Sequence, residues 1–154
     1  MISCLRNPQT STIKYIQHYN SDSQKATTYV MRIPKGYKLI TLRGGHQELE
    51  KQFVYPDSSK IYITNFTTSS LNESNIRSLG DSISNSRFDE LKVKIRKELD
   101  SDFEFQTMQL EGKAHENLIW KDIRVDYISI GYVGVQPRLK AVFDQALSSL
   151  RKSK

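Results

Sequence analysis

Apolar and polar residues alternate in short segments over much of this chain, and this pattern limits its possible folds more than any other feature. Tyr29, Met31 and Ile33 fall at every second position, which is the period of a half-buried strand. Segments of similar character follow at residues 38–43, 47–55 and 60–66. Short turns separate these segments, as at Pro34-Lys35-Gly36, so we expect four strands in an antiparallel meander.

A helical period replaces this alternation after residue 75. Ile76, Leu79 and Ile83 are spaced for one face of a helix, and the apolar residues of the stretch 88–99 repeat that spacing. Three strand-like segments follow, at residues 103–110, 118–125 and 127–133. A final helix is predicted to begin at Pro137, because apolar residues recur at helical spacings from there to residue 150.

These elements together predict an α+β fold. We expect one antiparallel sheet of about seven strands, in the order four strands, helix, three strands, helix, with the helices packed on one face of the sheet. The length of 154 residues suits one domain. Because the first residues are largely polar and Pro8 interrupts them, residues 1–25 are predicted to be a flexible N-terminal tether. Residues 26–154 then form a single α+β domain.

The residue types in the chain exclude several classes of chemistry. A single cysteine excludes an intramolecular disulfide and a zinc site built from cysteines alone. The sequence contains no apolar run long enough for a transmembrane helix, and no nucleophile-elbow, metalloprotease or phosphate-loop motif. We therefore expect no metal, no cofactor and no catalytic residue, with a small hydrolase assembled from distant residues as an alternative.

Positive charge is concentrated in the N-terminal third of the sequence. The whole chain has a formal charge of +6, and residues 1–50 hold seven basic and three acidic side chains. Such an excess favours anionic partners, including lipid headgroups and nucleic acid. Aromatic and basic residues are interleaved here as on nucleic-acid-binding sheets, although tyrosines are also ordinary strand residues. The candidate binding residues, on the sheet face that the helices leave uncovered, are Tyr29, Arg32, Tyr37, Lys38 and Tyr62.

The first four residues, Met-Ile-Ser-Cys, resemble the end of a bacterial lipoprotein signal peptide. In that signal the cysteine is lipidated and becomes the new N-terminus, so the resemblance makes Cys4 a candidate lipidation site. It implies a protein tethered by its lipid to a membrane, in the bacterial periplasm or on the outer surface. No basic and apolar leader precedes Cys4. If Met1 is the true initiator, the alternative is a cytoplasmic protein with a free cysteine.

Two fragments resemble PsbP-like domains, which are small secreted or envelope α/β sandwiches. One is the strand Ile130-Gly131-Tyr132 together with the final helix, and the other is the stretch from Arg32 to Tyr37. The resemblance implies a binding or assembly module. We therefore expect a non-catalytic cell-envelope domain of the lipoprotein type that binds another protein or an anionic surface component. A nucleic-acid-binding domain and a small hydrolase remain the alternatives.

Overall fold

The computed structural model of the chain describes residues 9–17, 26–44, 49–65, 108–125 and 128–153. Strands dominate this part of the protein. Its single α-helix, α1, spans Lys140–Ser148 and follows a short 3-10 turn at Pro137–Leu139. The strands are β1 (Thr10–Gln17), β2 (Thr27–Pro34), β3 (Lys38–Arg43), β4 (Leu49–Val54), β5 (Lys60–Thr64), β6 (Met108–Lys113), β7 (Ile119–Val125), β8 (Ile128–Val135) and β9 (Arg151–Lys152).

The described strands form two antiparallel sheets. The smaller sheet has the order β1-β2-β9, and the larger has the order β3-β4-β5-β8-β7-β6. Neighbours in the larger sheet are joined by antiparallel pairing throughout. The pairing of β5 with β8 brings together segments that lie far apart in the sequence.

The predicted α+β architecture is wrong. The described chain is mostly strand, with two sheets and one short helix, whereas we expected a single sheet covered by helices on one face. The error begins at the first predicted strand, since β2 pairs with β1 and β9 and not with β3. Alternation identifies a strand but does not identify its partner. The helices predicted within residues 76–99 lie outside the described residues.

The structure also differs from the predicted N-terminal tether. Residues Thr10–Gln17 form β1, which pairs with β2 along its whole length. Every second residue of its C-terminal half is buried, and Tyr15 is fully inaccessible to solvent. The local sequence does not indicate this strand, because Ile13 and Tyr15 are its only large apolar residues on the buried face. At least this stretch of residues 1–25 belongs to the folded domain.

Several elements were predicted correctly from local pattern. Strands are observed within or close to the segments predicted between residues 28 and 66 and again between 118 and 133. The final helix is present, with a proline at its entry as expected. Gly36 adopts a positive φ of 94° in the turn between β2 and β3, a conformation that glycine adopts at little cost.

The core lies between the two sheets and beneath α1. Phe143, Ala146 and Leu147 are the buried residues of α1, and their spacing of three and four places them on one helix face. They join Tyr29 of β2 and the apolar side chains of the larger sheet in one continuous cluster. Burial of each large apolar side chain in this cluster, such as Phe143 or Leu147, contributes about 1.5–3 kcal/mol to stability.

Tyrosine hydroxyls connect the two sheets at the edges of this core. The Tyr15 hydroxyl of β1 donates to the Leu49 carbonyl oxygen of β4 at 2.6 Å. The Tyr55 hydroxyl donates to the Pro34 carbonyl oxygen of β2 at 2.9 Å. Burial raises the pKa of both tyrosines above its ordinary value, so each hydroxyl keeps its proton and remains a donor.

Candidate functional site

The structure separates the residues that were predicted to form one binding surface. Tyr29 and Tyr62 are only 3% and 7% exposed, and they lie in different sheets. Arg32 and Lys38 are exposed, on β2 and β3 respectively. Tyr37 is half-buried, and its ring packs edge-on against Phe53 with 5.0 Å between ring centroids. The predicted exposed tyrosine patch is therefore absent, and Cys4 lies outside the described residues.

Tyr62 is held within the larger sheet by its hydroxyl, which donates a hydrogen bond to Asp122 Oδ1. Both residues lie opposite Gly131 in the register, on the strands at either side of it. The tyrosine ring thus crosses the middle strand to reach the carboxylate. A tyrosine in this position stabilises the sheet and offers no ring face to a ligand.

The larger sheet ends in an edge strand, β3, that is exposed along its whole length. All six residues from Lys38 to Arg43 are exposed. They include Leu39, Ile40 and Leu42, whose exposed fractions are 48%, 37% and 44%. Among the described strands only β4 pairs with β3. A six-residue strand with exposed apolar side chains on both faces and an open backbone edge is unusual in a folded domain, because such edges invite pairing with another chain. We call residues 38–43 the β3 edge.

Other edges in the described part of the structure are less open. At β1, an edge strand of the smaller sheet, the Lys51 side chain of β4 donates a hydrogen bond to the Lys14 carbonyl oxygen at 3.1 Å. On β6 the charged residues Glu111 and Lys113 are exposed, and β9 has only two residues. Charged side chains and short length are recognised ways of protecting a sheet edge. The β3 edge has basic residues only at its ends.

The charge around the β3 edge is positive. Lys38 and Arg43 stand at its two ends, and the exposed Lys35 precedes it in the turn from β2. The nearest acidic residue in the register is Glu50, opposite Leu42, and it is buried and accepts a hydrogen bond from Gln52. An incoming segment would therefore meet an apolar strand with cationic ends.

A network of charged residues connects α1 to the larger sheet. Asp144 of α1 accepts hydrogen bonds from Lys121 of β7 at 2.9 Å and from Lys140 at 2.6 Å. The buried Tyr132 hydroxyl of β8 donates to the same carboxylate at 3.0 Å. Glu111 lies within 3.7 Å of both lysine ammonium groups.

The electrostatics of this network suit structural support more than acid–base catalysis. Partial burial acts to raise the pKa of Asp144, but the donors Lys140, Lys121 and Tyr132 outweigh it and hold that pKa below its ordinary value. The bond to Asp144 correspondingly raises the pKa of Lys140. Burial and the bond to Asp144 raise the pKa of Tyr132. A general base functions best with a pKa near the working pH. Here the shifts stabilise the ionised Asp144 carboxylate, the charged Lys140 ammonium and the protonated Tyr132 hydroxyl.

No group of three or more metal-ligating side chains comes together within the ranges that the structure describes. None of the helices described there is long and apolar enough to cross a membrane. No protein-family model matches the chain, and comparison with curated proteins and with solved structures found no match either.

Arg32 and Lys38 were predicted from the sequence as binding candidates, but the feature that distinguishes β3 was not predicted. Residues 38–43 were correctly predicted as a strand, but the exposure of their leucines and isoleucine was not predicted. Nothing in the local pattern distinguishes a strand in the centre of a sheet from one at its edge. The exposure follows only from the final strand order.

Proposed function

We propose that this protein is a non-catalytic binding domain that pairs its β3 edge with an extended segment of a partner protein. The observation that carries the proposal is the complete exposure of β3, including three large apolar side chains. Strand addition to a sheet edge uses main-chain hydrogen bonds for affinity and alternate side chains for specificity. As an edge strand, β3 can form such main-chain hydrogen bonds. Its side chains can also give specificity, because Leu39 lies on one face of the sheet and Ile40 and Leu42 lie on the other.

The charges define the chemistry of the partner. A strand lying along β3 places its ends near Lys38 and Arg43, so acidic residues at those ends gain favourable contacts. Apolar or β-branched residues between them would cover the exposed side chains of β3. The partner is therefore an extended segment with an apolar centre and acidic ends.

A second copy of the chain fits this edge less well. Antiparallel self-pairing in full register would bring Lys38 of one copy opposite Arg43 of the other at both ends of the strand. Like charges placed directly opposite each other destabilise a strand pair. This repulsion favours an acidic partner over self-association.

The nucleic-acid alternative is weakened by the burial of Tyr29 and Tyr62, because stacking on bases requires an exposed ring face. An envelope address through lipidated Cys4 and the PsbP-like resemblance remain predictions. A tethered domain with a basic N-terminal third suits an anionic membrane surface. It would present β3 to another envelope protein there.

Selection from a library of random peptides displayed on phage tests the proposal without a known partner. We expect enrichment of sequences with alternating apolar residues and acidic ends. Leu42→Thr should reduce their affinity by about five-fold or more, since it removes an exposed anchor while keeping a good strand residue.

Ile16→Thr on β1 is the matched control, because Ile16 is 45% exposed and Leu42 is 44% exposed. Its affinity for the selected peptides should change by less than about two-fold. Failure to enrich any such sequence, or equal retention by the Leu42→Thr variant, contradicts the proposal. Sedimentation as a concentration-dependent dimer that Leu42→Thr dissociates would instead assign the edge to a second copy.

A further inference from the structure

A small cavity opens between β2 and the C-terminal half of α1. Its volume is about 240 Å³, below the usual range of pockets for drug-sized ligands, so it suits a compact molecule. The residues that line it are Thr10, Arg32, Pro34, Val142, Gln145, Ala146 and Ser149. Neither this cavity nor its lining residues belong to the β3 edge.

The lining of the cavity divides into an apolar part and a polar part. Pro34 and Ala146 are buried and Val142 is half-buried, and together they form an apolar wall. Among the described residues that line the cavity, Arg32 supplies the only charge, and no acidic side chain faces it. Among the described residues, the Arg32 guanidinium takes part in no ion pair.

The backbone that carries Arg32 is fixed to the end of α1. The Arg32 backbone N–H donates to Ser149 Oγ at 2.8 Å, and Ser149 Oγ donates to the Ala146 carbonyl oxygen at 2.6 Å. The Ser149 hydroxyl therefore joins β2 to the last turn of the helix. This bridge fixes the Arg32 backbone relative to the apolar wall. Such preorganisation lowers the entropic cost of binding a ligand.

We propose that this cavity binds a small organic carboxylate. The planar guanidinium of Arg32 matches a carboxylate in charge and in its two-pronged hydrogen-bonding geometry. The apolar body of the ligand would lie against Pro34, Val142 and Ala146, which offer nothing to an inorganic anion. The site is independent of the proposed strand addition, because none of its lining residues belongs to β3.

Titration of the isotopically labelled protein by NMR tests the site, with benzoate as the probe and benzamide as its neutral analogue of the same shape. Benzoate should shift the backbone amide signals of Arg32, Gln145 and Ser149 to saturation. Benzamide should bind about ten-fold more weakly or worse, because it lacks the charge that pairs with the guanidinium.

Arg32→Gln should weaken benzoate binding by about ten-fold. Lys14→Gln removes an exposed cation from the neighbouring β1 outside the cavity lining, and it should change the affinity by less than about two-fold. The absence of saturable shifts with benzoate overturns the proposal. Equal affinity for benzamide or for inorganic phosphate, or an unchanged affinity in Arg32→Gln, overturns it as well.

Discussion

The Tyr62 hydroxyl donates its hydrogen bond to Asp122 across an intervening strand, and Gly131 is the residue that makes this possible. A side chain at Gly131 would collide with the Tyr62 ring and with the Lys121 carbonyl oxygen. The three residues form one row across β5, β8 and β7. A glycine in a central strand thus serves here to let a tyrosine lie flat over the backbone.

Tyr62→Phe should lower the free energy of unfolding by about 1–3 kcal/mol, because it removes a donor from a buried carboxylate. Urea denaturation measures this loss. Tyr37→Phe is the control: its half-buried hydroxyl accepts a 3.2 Å bond from Ser11, and its loss should cost less than about 1 kcal/mol. Equal effects of the two substitutions would show that the bond to Asp122 adds nothing beyond the burial of the ring.

Gly131→Ala should be more damaging than Gly112→Ala. At Gly131 the new methyl group meets a backbone oxygen as well as Tyr62, and the backbone must move. At Gly112 it meets the Trp120 ring at 2.8 Å, which a side-chain movement can relieve. We expect losses of about 3 kcal/mol or more and of about 1–2 kcal/mol respectively. Thermal unfolding of the two variants compares them directly. A larger loss for Gly112→Ala would contradict the role given to Gly131 in letting the Tyr62 ring cross the strand.

Asp144→Asn should destabilise the protein in a manner that depends on pH. The lowered pKa of Asp144 in the folded state means that its carboxylate contributes stability above its ordinary pKa. That contribution is lost as the pH falls through the lower, folded-state pKa. Near neutral pH we expect a loss of about 1–2 kcal/mol, which should shrink as the pH falls below about 4.

Denaturant titrations at several pH values measure this difference between the wild type and the variant. Glu111→Gln is the matched control, because Glu111 contacts the same two lysines at 3.6–3.7 Å and its side chain is 48% exposed. Exposed ion pairs at such distances contribute little, so we expect a change below about 0.5 kcal/mol. A difference for Asp144→Asn that stays constant into strong acid would contradict the role given to its carboxylate.

Phe143→Ala should lower the free energy of unfolding strongly, because Phe143 packs α1 against the core. The Phe143 ring packs edge-on against Tyr55 and Tyr132, with centroid distances of 5.4 and 5.7 Å, and it is buried. Loss of such a side chain costs about 3–5 kcal/mol. Gln145→Ala changes an exposed residue of the same helix and should alter the free energy of unfolding by less than about 0.5 kcal/mol. Calorimetric unfolding that shows similar stability for both variants would place α1 outside the cooperative core.

The local sequence pattern predicted those strands and helices in which apolar residues are dense or recur at a regular spacing. β5 and β8 carry dense runs of apolar residues, and the final helix has an apolar stripe opened by Pro137. Thr10–Gln17 was not predicted because a strand can be held in place by only two buried apolar side chains and a long register with its neighbour. The candidate site divides in the same way. Arg32 was predicted as a binding candidate on a sheet face, but its place in the lining of a cavity follows from the packing of β2 against the end of α1, where Ser149, 117 positions away in the chain, accepts its backbone N–H.

The sequence by itself determined most of the extended segments, the entry of the last helical segment at Pro137, and the region where positive charge accumulates, because these depend on neighbours within a few residues. Only the tertiary structure decided that β2 leaves the larger sheet, that Tyr29 and Tyr62 are buried, and that β3 stays exposed. Strand partners are chosen by packing between residues distant in sequence. The same alternating pattern therefore serves a central strand and an edge strand equally well.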